Sequence, residues 1–293
     1  MTARIDIAAD IAACALTVPI QEEIWGDSVV PPALLLAVAN NGGFVALGYV
    51  DGDERPAGFV FGFLGIHEDH FRHHSHMLAV RKKHRGSGVA IALKEAQRDH
   101  CLDQGIEIVT WTMDPLEALN AHFNFAKLGT YARTYLRDHY GAMPDRLNAG
   151  LPSDRFYVEW PVGHDRTYKR LRGENEAPTL ENAEREEIRY VLRVERGRPA
   201  ELGPPAGESH LLLEIPSDFQ AVRRSDHALA LAWRHSARAA FEAAFEAGYA
   251  AVEFLRAADG RGAYLLVPQP KRGGAGAEPP RKESAGLTEA KPE

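Results

Sequence analysis

The chain has 293 residues, 45% hydrophobic and 26% charged, as in an ordinary soluble globular protein of one large domain or two smaller ones. Its net charge of -7 gives the whole chain no attraction to nucleic acid or anionic membranes, so any anion-binding site must be local. The two cysteines, Cys14 and Cys101, are too few for a disulfide framework and suit a reducing compartment, and no apolar run is long enough to span a bilayer, so we expect a cytoplasmic protein.

The first part of the chain is predicted to contain two helices, three strands, a basic loop, a helix, a strand and a helix. A proline, Pro19, interrupts or kinks the first of these helices. The predicted helices cover residues 11–24, 31–40, 89–104 and 116–128, and the predicted strands cover 44–50, 57–65, 73–80 and 106–112. This order predicts an α/β (α+β) fold with a mixed central sheet flanked by helices.

The second part is predicted to be a smaller α+β unit behind a polar linker. The linker covers residues 163–186, and the unit covers 187–270. Its strands are predicted at 188–194, 211–215, 249–255 and 262–267, with one long helix at 226–247. Residues 271–293 contain one large aliphatic side chain among Gly, Pro, Glu and Lys, so we expect a disordered tail. The first domain is then residues 1–162.

A basic loop between a predicted strand and helix carries the strongest chemical signal. Its sequence is Arg81-Lys82-Lys83-His84-Arg85-Gly86-Ser87-Gly88. Unpaired N–H groups at the start of the following helix, together with the positive end of its dipole, favour a phosphate group. Neither a Walker loop nor a dinucleotide fingerprint fits, since Gly88 is followed by Val89-Ala90 and the third glycine is missing. The competing interpretation is a solvated basic turn.

The pattern Arg-x-x-Gly-x-Ala at Arg85, Gly88 and Ala90 resembles the acyl-CoA pyrophosphate loop of the GNAT N-acyltransferase superfamily. The helix from Asn120 to Gly129 looks like the second GNAT element, and residues from about 4 to 160 look like a GNAT domain of a bacterial branch with a C-terminal extension. The resemblance implies acetyl-CoA or another acyl-CoA as the cofactor. It places the cofactor on Leu78, Val80, Arg85, Gly86, Ser87, Gly88, Val89, Ala90, Asn120 and Phe125.

The chain departs from the GNAT pattern in two places. Phe125 stands where many GNAT enzymes carry a tyrosine general acid, and the usual asparagine of the second element is displaced to Asn120. The thiolate therefore leaves unassisted, or another group donates the proton; Tyr131, Tyr135 and Tyr140 are the candidates.

The resemblance implies transfer of an acetyl or other short acyl group, with succinyl as one candidate, from CoA to the amine of a small molecule, with an amino acid as one candidate. A base must take the proton of this amine, and His74 and His76 are the candidates on the strand before the loop. Trp111, Asp114 and Arg155 could line the acceptor pocket, although core packing of the tryptophan and a surface salt bridge of the arginine compete with this role.

Three further interpretations remain open. A non-catalytic acyl-CoA-binding regulatory module would bind CoA without turnover, and Phe125 favours it. The histidines between His67 and His76 invite a metal-dependent hydrolase, but their spacing is wrong for one helix face, so we expect no metal. The apolar stripe of the long C-terminal helix indicates core or a domain interface and leaves a homodimer contact open.

Overall fold

The computed structural model describes residues 3–27, 29–67, 70–141, 150–174 and 177–269. The expected disordered tail lies outside these residues. The described strands are β1 (Ala3–Ile7), β2 (Phe44–Val50), β3 (Gly58–His67), β4 (His70–Val80), β5 (Ile108–Met113), β6 (Tyr131–Leu136), β7 (Arg155–Pro161), β8 (Arg189–Glu195), β9 (Arg198–Glu201), β10 (Leu211–Ile215), β11 (Tyr249–Arg256) and β12 (Gly262–Pro268). They form one mixed sheet in the order β1-β2-β3-β4-β5-β7-β6-β11-β12-β10-β8-β9.

The described helices lie on both faces of this sheet. They are α1 (Ile11–Ala15), α2 (Val18–Trp25), α3 (Pro32–Ala39), α4 (Val89–Asp103), α5 (Ala118–Ala121), α6 (Asp165–Leu171), α7 (Leu180–Arg185), α8 (Phe219–Ser225) and α9 (His227–Glu246). The mixed α/β fold with flanking helices is confirmed.

The first predicted helix is two helices. The chain leaves α1 at Leu16, and Thr17 is the N-cap residue of α2. Pro19 therefore lies in the first turn of α2, where its missing N–H removes no helical hydrogen bond, rather than kinking a longer helix.

Strands β1 to β4 form an antiparallel meander whose two faces are both covered. Phe44, Ala46 and Val60 pack with Leu93 of α4, and we call this side the α4 face. On the other side, helices α1 to α3 cover Phe59 and neighbouring apolar side chains. Alternating side-chain direction explains why strands of nearly continuous apolar sequence are buried on both faces.

A β-bulge in β4 determines which way its histidines point. Phe61 pairs with Met77 and Gly62 with Ser75, so His76 is the extra residue of the bulge. The imidazoles of His74 and His76 both contact phenylalanines of β3 on the side opposite α4, with ring centroids of Phe63 and His74 5.2 Å apart. We call this side the histidine face.

The middle of the chain is the strand–loop–helix–strand unit that the sequence predicts. β4 and β5 are parallel and pair at His73–Val109 and His74–Thr110. The predicted helix at 116–128 begins later, at Ala118, and is π-helical over His122–Lys127. Strands β1, β6, β7 and β9 were not predicted.

The segment 163–186, expected to be a linker, contains helices α6 and α7. Some of its polar residues form contacts instead of facing solvent: Arg170 of α6 is buried and donates to Glu253 of β11 at 2.5 Å. The guanidinium of Arg170 also donates a hydrogen bond to the backbone carbonyl of Ala126, at the end of the π-helical segment. The segment therefore joins the two parts of the chain.

The largest core cluster is shared between the two parts. It includes Phe125 and Phe156 from the first part and Phe241 and Tyr264 from the second, with the centroids of Phe156 and Phe241 4.6 Å apart. The sheet is also continuous, since β6 pairs with β11. The apolar stripe of α9 is buried in this core, and the proposed division at residue 162 stays a prediction.

Candidate functional site

The loop between β4 and α4 has a backbone conformation that requires glycine. Gly86 and Gly88 have φ angles of +83° and +88°, which residues with a Cβ rarely adopt. A Cβ at either position would meet no atom within 4 Å, so conformation rather than crowding selects glycine. The surface above the loop is open to a ligand.

Two features of this loop fit a phosphate-bearing group. Gly88 caps α4 without a side-chain hydrogen bond, so the first N–H groups of the helix, from Val89 and Ala90 onward, have no partner within it. The hydroxyl of Ser87 is buried and has no hydrogen-bond partner among the described residues. A pyrophosphate of CoA would supply acceptors for both, so these residues fit the implied cofactor.

The positive charge of the loop is partly neutralised. Arg81 binds Glu23, and the ammonium of Lys83 lies 3.5 Å from the carboxylate of Asp53. Arg85 is exposed and makes no side-chain hydrogen bond or ion pair within the described ranges. Arg85 is therefore the arginine of the loop that is available to a ligand.

Strands β4 and β5 diverge beside the loop. They pair through His73 and His74, and in the described part of the chain the rest of β4 toward Val80 pairs with β3 alone. The backbone of β4 near Leu78 and Val80 is thus free on one side to bind an extended ligand, as the resemblance implies. The side chains of both residues pack on the α4 face.

The second element differs from the prediction. Phe125 is fully buried against Phe156 and Tyr264 in the shared core. Asn120 is exposed and accepts a hydrogen bond from Asn124 at 3.1 Å. The C-terminal unit covers this side of the helix, and the cofactor contact of Phe125 stays a prediction.

A row of polar side chains crosses the histidine face. Thr110 of β5 pairs with His74 on one side and with Glu159 of β7 on the other. The hydroxyl of Thr110 lies 3.4 Å from Nδ1 of His74. The Glu159 carboxylate is buried and accepts hydrogen bonds from Tyr131 at 2.8 Å and Arg133 at 3.0 Å. Sequence reasoning missed Glu159, because neither of the strands that place it was predicted.

Both candidate bases are imidazoles in their neutral form at physiological pH. Burial, followed by the charge of His76, lowers the pKa of His74 to about 4. Burial also lowers the pKa of His76, whose side chain is the more exposed of the two. A neutral imidazole has a nitrogen free to accept a proton.

Of the three tyrosines considered as acids, Tyr140 is the most accessible. Its hydroxyl is 2.7 Å from Oγ1 of Thr112, two residues after Thr110 and on the same face of β5. Tyr135 is held by Asp154, and burial raises its pKa well above the usual value. Tyr131 is bound to Glu159, as described above.

Trp111, Asp114 and Arg155, the predicted acceptor residues, all contact other side chains of the protein. The Trp111 ring is buried on the α4 face under the ammonium of Lys94, which lies 3.9 Å from its centroid. Both oxygens of Asp114 are taken by Arg234 of α9, at 2.8 and 2.5 Å. Arg155 is buried 3.7 Å from Asp114. Trp111 belongs to the core and Asp114 to the contact with the C-terminal unit, whereas the Arg155 guanidinium also lies 5.5 Å from the ring centroid of Tyr140. A role of these residues in acceptor binding stays a prediction.

Lys94 is buried among polar side chains behind the bulge of β4. Its ammonium donates to Gln97 at 2.8 Å and to Ser75 at 3.0 Å, and Gln97 also contacts His73 at 3.1 Å. No carboxylate binds it in the described part of the chain. Burial accordingly lowers the pKa of Lys94 to about 7.

Lys94 should make the stability of the protein depend on pH. Because its pKa falls from 10.5 to about 7 on folding, the unfolded chain binds this proton more tightly between these values. The free energy of unfolding should therefore rise with pH from about 7 to 10, and Lys94→Met should flatten this rise. Urea unfolding at several pH values measures it, with Lys127→Met, an exposed lysine, as the control. Parallel profiles for wild type and Lys94→Met would contradict this assignment.

The described residues contain no group of three or more His, Cys, Asp or Glu side chains that could hold a metal ion. The side chain of His67 lies outside the described set. No described helix is long and apolar enough to cross a membrane.

The open loop, the unpaired start of α4 and the diverging strands of this mixed-sheet fold fit an extended, phosphate-bearing cofactor. Residues 12–129 match the model of the Acetyltransferase (GNAT) family. The chain therefore contains a GNAT acetyltransferase domain, the class of acyl-CoA-dependent N-acetyltransferases.

Solved structures with a similar fold include three acetyltransferases. The ribosomal-protein-S18-alanine N-acetyltransferase from Escherichia coli is 13% identical, with a TM-score of 0.44 over 56% of this chain and 96% of its own. A GNAT acetyltransferase from Streptococcus pneumoniae is 15% identical, with a TM-score of 0.44 over 55% and 100%. Arabidopsis thaliana Naa50 in complex with the bisubstrate analogue CoA-Ac-MVNAL is 18% identical, with a TM-score of 0.43 over 54% and 98%. Curated proteins gave no significant match.

Proposed function

We propose that the protein transfers an acetyl or other short acyl group from CoA to the amine of a small molecule. The observation that carries the proposal is the loop of Gly86, Ser87 and Gly88, whose unpaired N–H and hydroxyl groups lie at the start of α4 beside diverging strands. CoA would bring the thioester to the histidine face, where the acceptor amine would meet it.

The residues of the histidine face would have separate roles in this reaction. His74 or His76 takes a proton from the amine, directly or through a water molecule. Tyr140 is accessible on the same face and is our candidate for the proton donor to the thiolate of CoA. Thr110 holds the imidazole of His74 in place. A free backbone N–H of β4 would polarise the thioester carbonyl.

Thiol release tests this proposal. The purified protein is given acetyl-CoA or succinyl-CoA with amino acids, polyamines and short peptides as acceptors, and release of free CoA thiol is followed. Amine-dependent release supports the proposal. CoA binding without release across the panel would favour the non-catalytic module instead, which the loss of the usual tyrosine at Phe125 supports.

Arg85→Ala should weaken CoA binding about tenfold, because a charge-assisted hydrogen bond to phosphate is lost. Calorimetric titration with CoA measures the dissociation constant. Arg55→Ala, which removes another exposed arginine, is the control and should bind CoA like the wild type. An unchanged dissociation constant for Arg85→Ala would exclude this arginine from the pyrophosphate site.

A further inference from the structure

Two arginines on the histidine face share one buried carboxylate. Arg133 binds Glu159 through two nitrogens, and Nη1 of Arg72 lies 3.9 Å from the same carboxylate. Tyr131 supplies a further hydrogen bond to Glu159. The carboxylate is thus satisfied without Arg72, and two positive charges face one negative charge.

Arg72 has unused hydrogen-bonding capacity. Its Nε is buried without a partner in the described residues, and its loose contact with Glu159 is longer than a hydrogen bond. Gly65 stands opposite Arg72 on β3, and a Cβ there would meet no atom within 4 Å. The position across the strand pair from Arg72 is therefore open, and the guanidinium of Arg72 is not fully paired.

This guanidinium lies next to the candidate bases. Arg72 and His74 are two residues apart on β4, so they point to the same face with Cα atoms about 7 Å apart. The long side chain of Arg72 can hold an anion while the amine of the same molecule lies at the imidazoles. Arginine binds a carboxylate through two parallel N–H donors, which also fixes the orientation of the bound molecule.

We propose that Arg72 binds the carboxylate of the acceptor, so that the acceptor is an amine that carries its own carboxylate, such as a free amino acid. The inference rests on the proposed acyl transfer and narrows its acceptor. A diamine has no group for Arg72, and an internal or N-terminal peptide amine has no adjacent carboxylate. The uncompensated charge on this face selects against cationic acceptors.

Paired acceptors test the proposal. Standard L-amino acids, their carboxamides and the diamines putrescine and cadaverine are compared by kcat/KM with acetyl-CoA. We expect amino acids to be preferred over their carboxamides. Arg72→Gln should reduce this preference on the order of 10- to 100-fold, chiefly through KM, as the loss of one charge-assisted pair predicts. Arg4→Gln, on the exposed edge strand β1, is the control and should keep the preference.

The outcomes separate this inference from the proposed function. Turnover of diamines or carboxamides as fast as amino acids overturns the inference and leaves acyl transfer intact. A preference for amino acids that survives in Arg72→Gln overturns the role of Arg72. If no acceptor releases thiol, calorimetric titration of the CoA-bound protein with the amino acids decides: binding lost in Arg72→Gln supports the carboxylate site, and absence of binding overturns it.

Discussion

Replacing Arg234 by methionine should lower the free energy of unfolding by about 3 kcal/mol, the lower end of what breaking a buried ion pair costs. Arg234 is buried in α9 and binds both oxygens of Asp114. Without Arg234, the Asp114 carboxylate still has Arg155 at 3.7 Å as a weaker partner. We therefore expect a loss of stability at the lower end of this range. Urea unfolding measures the change.

The electrostatics of this pair support that expectation. Burial is the largest single effect and opposes the charged form of Asp114. The charge and hydrogen bonds of Arg234, with smaller help from Arg155 and the N–H of Leu116, together outweigh it and hold the pKa of the carboxyl below its usual value. The double variant Asp114→Asn with Arg234→Met should recover part of the loss, because no unpaired charge stays buried. Arg137→Gln breaks an exposed pair with Glu242 and should leave the melting temperature unchanged. If Arg234→Met unfolded at the same urea concentration as the wild type, the ion pair would not stabilise the contact between the two units.

The double variant His74→Ala with His76→Ala should lower kcat between about 10²- and 10⁴-fold, the usual effect of losing a general base. CoA affinity should stay near that of the wild type, because neither imidazole lies in the pyrophosphate loop. Thiol release with saturating acetyl-CoA measures kcat, and the single variants identify the base. His164→Ala, outside the histidine face at the start of α6, is the control.

The pH dependence distinguishes the two imidazoles. A base works when it is neutral, so kcat/KM rises as the pH rises through its pKa. With His74 as the base this rise should be centred near pH 4, the pKa that burial gives it. With His76 the rise should lie nearer the ordinary imidazole pKa, because this imidazole is the more exposed of the two and keeps more of its hydration, although burial lowers its pKa as well. Wild-type kcat in the double variant would exclude both residues from proton transfer.

The sequence predicted the loop and its neighbours well because their signals are local. The loop conformation depends on Gly86 and Gly88 themselves. The strands β2 and β4 and the helix α4 are indicated by the spacing of apolar residues within a few positions of one another. The bounds of β2 and β10 agree with the predicted strands. The family of residues 12–129 followed from the same local motifs.

The residues around the acceptor site could not be predicted in the same way. Glu159 is part of no local sequence motif. Its place in the site depends on hydrogen bonds from Tyr131 and Arg133 of the neighbouring strand β6. Asp114 and Arg234 are 120 positions apart, so their pairing was invisible in the sequence. The burial of Phe125 was equally invisible in the sequence, since the aromatic side chains that cover it include Tyr264 near the end of the described chain.

The shared core has a consequence for how the chain folds. Phe125 and Phe156 are buried by Phe241 and Tyr264, which are made more than eighty residues later, so the first unit completes its apolar packing only after the second has formed. The two units should then unfold in a single cooperative transition rather than one after the other. The extension thereby stabilises the very helix and strands beside which CoA would bind, without contributing a side chain to the histidine face among the contacts described.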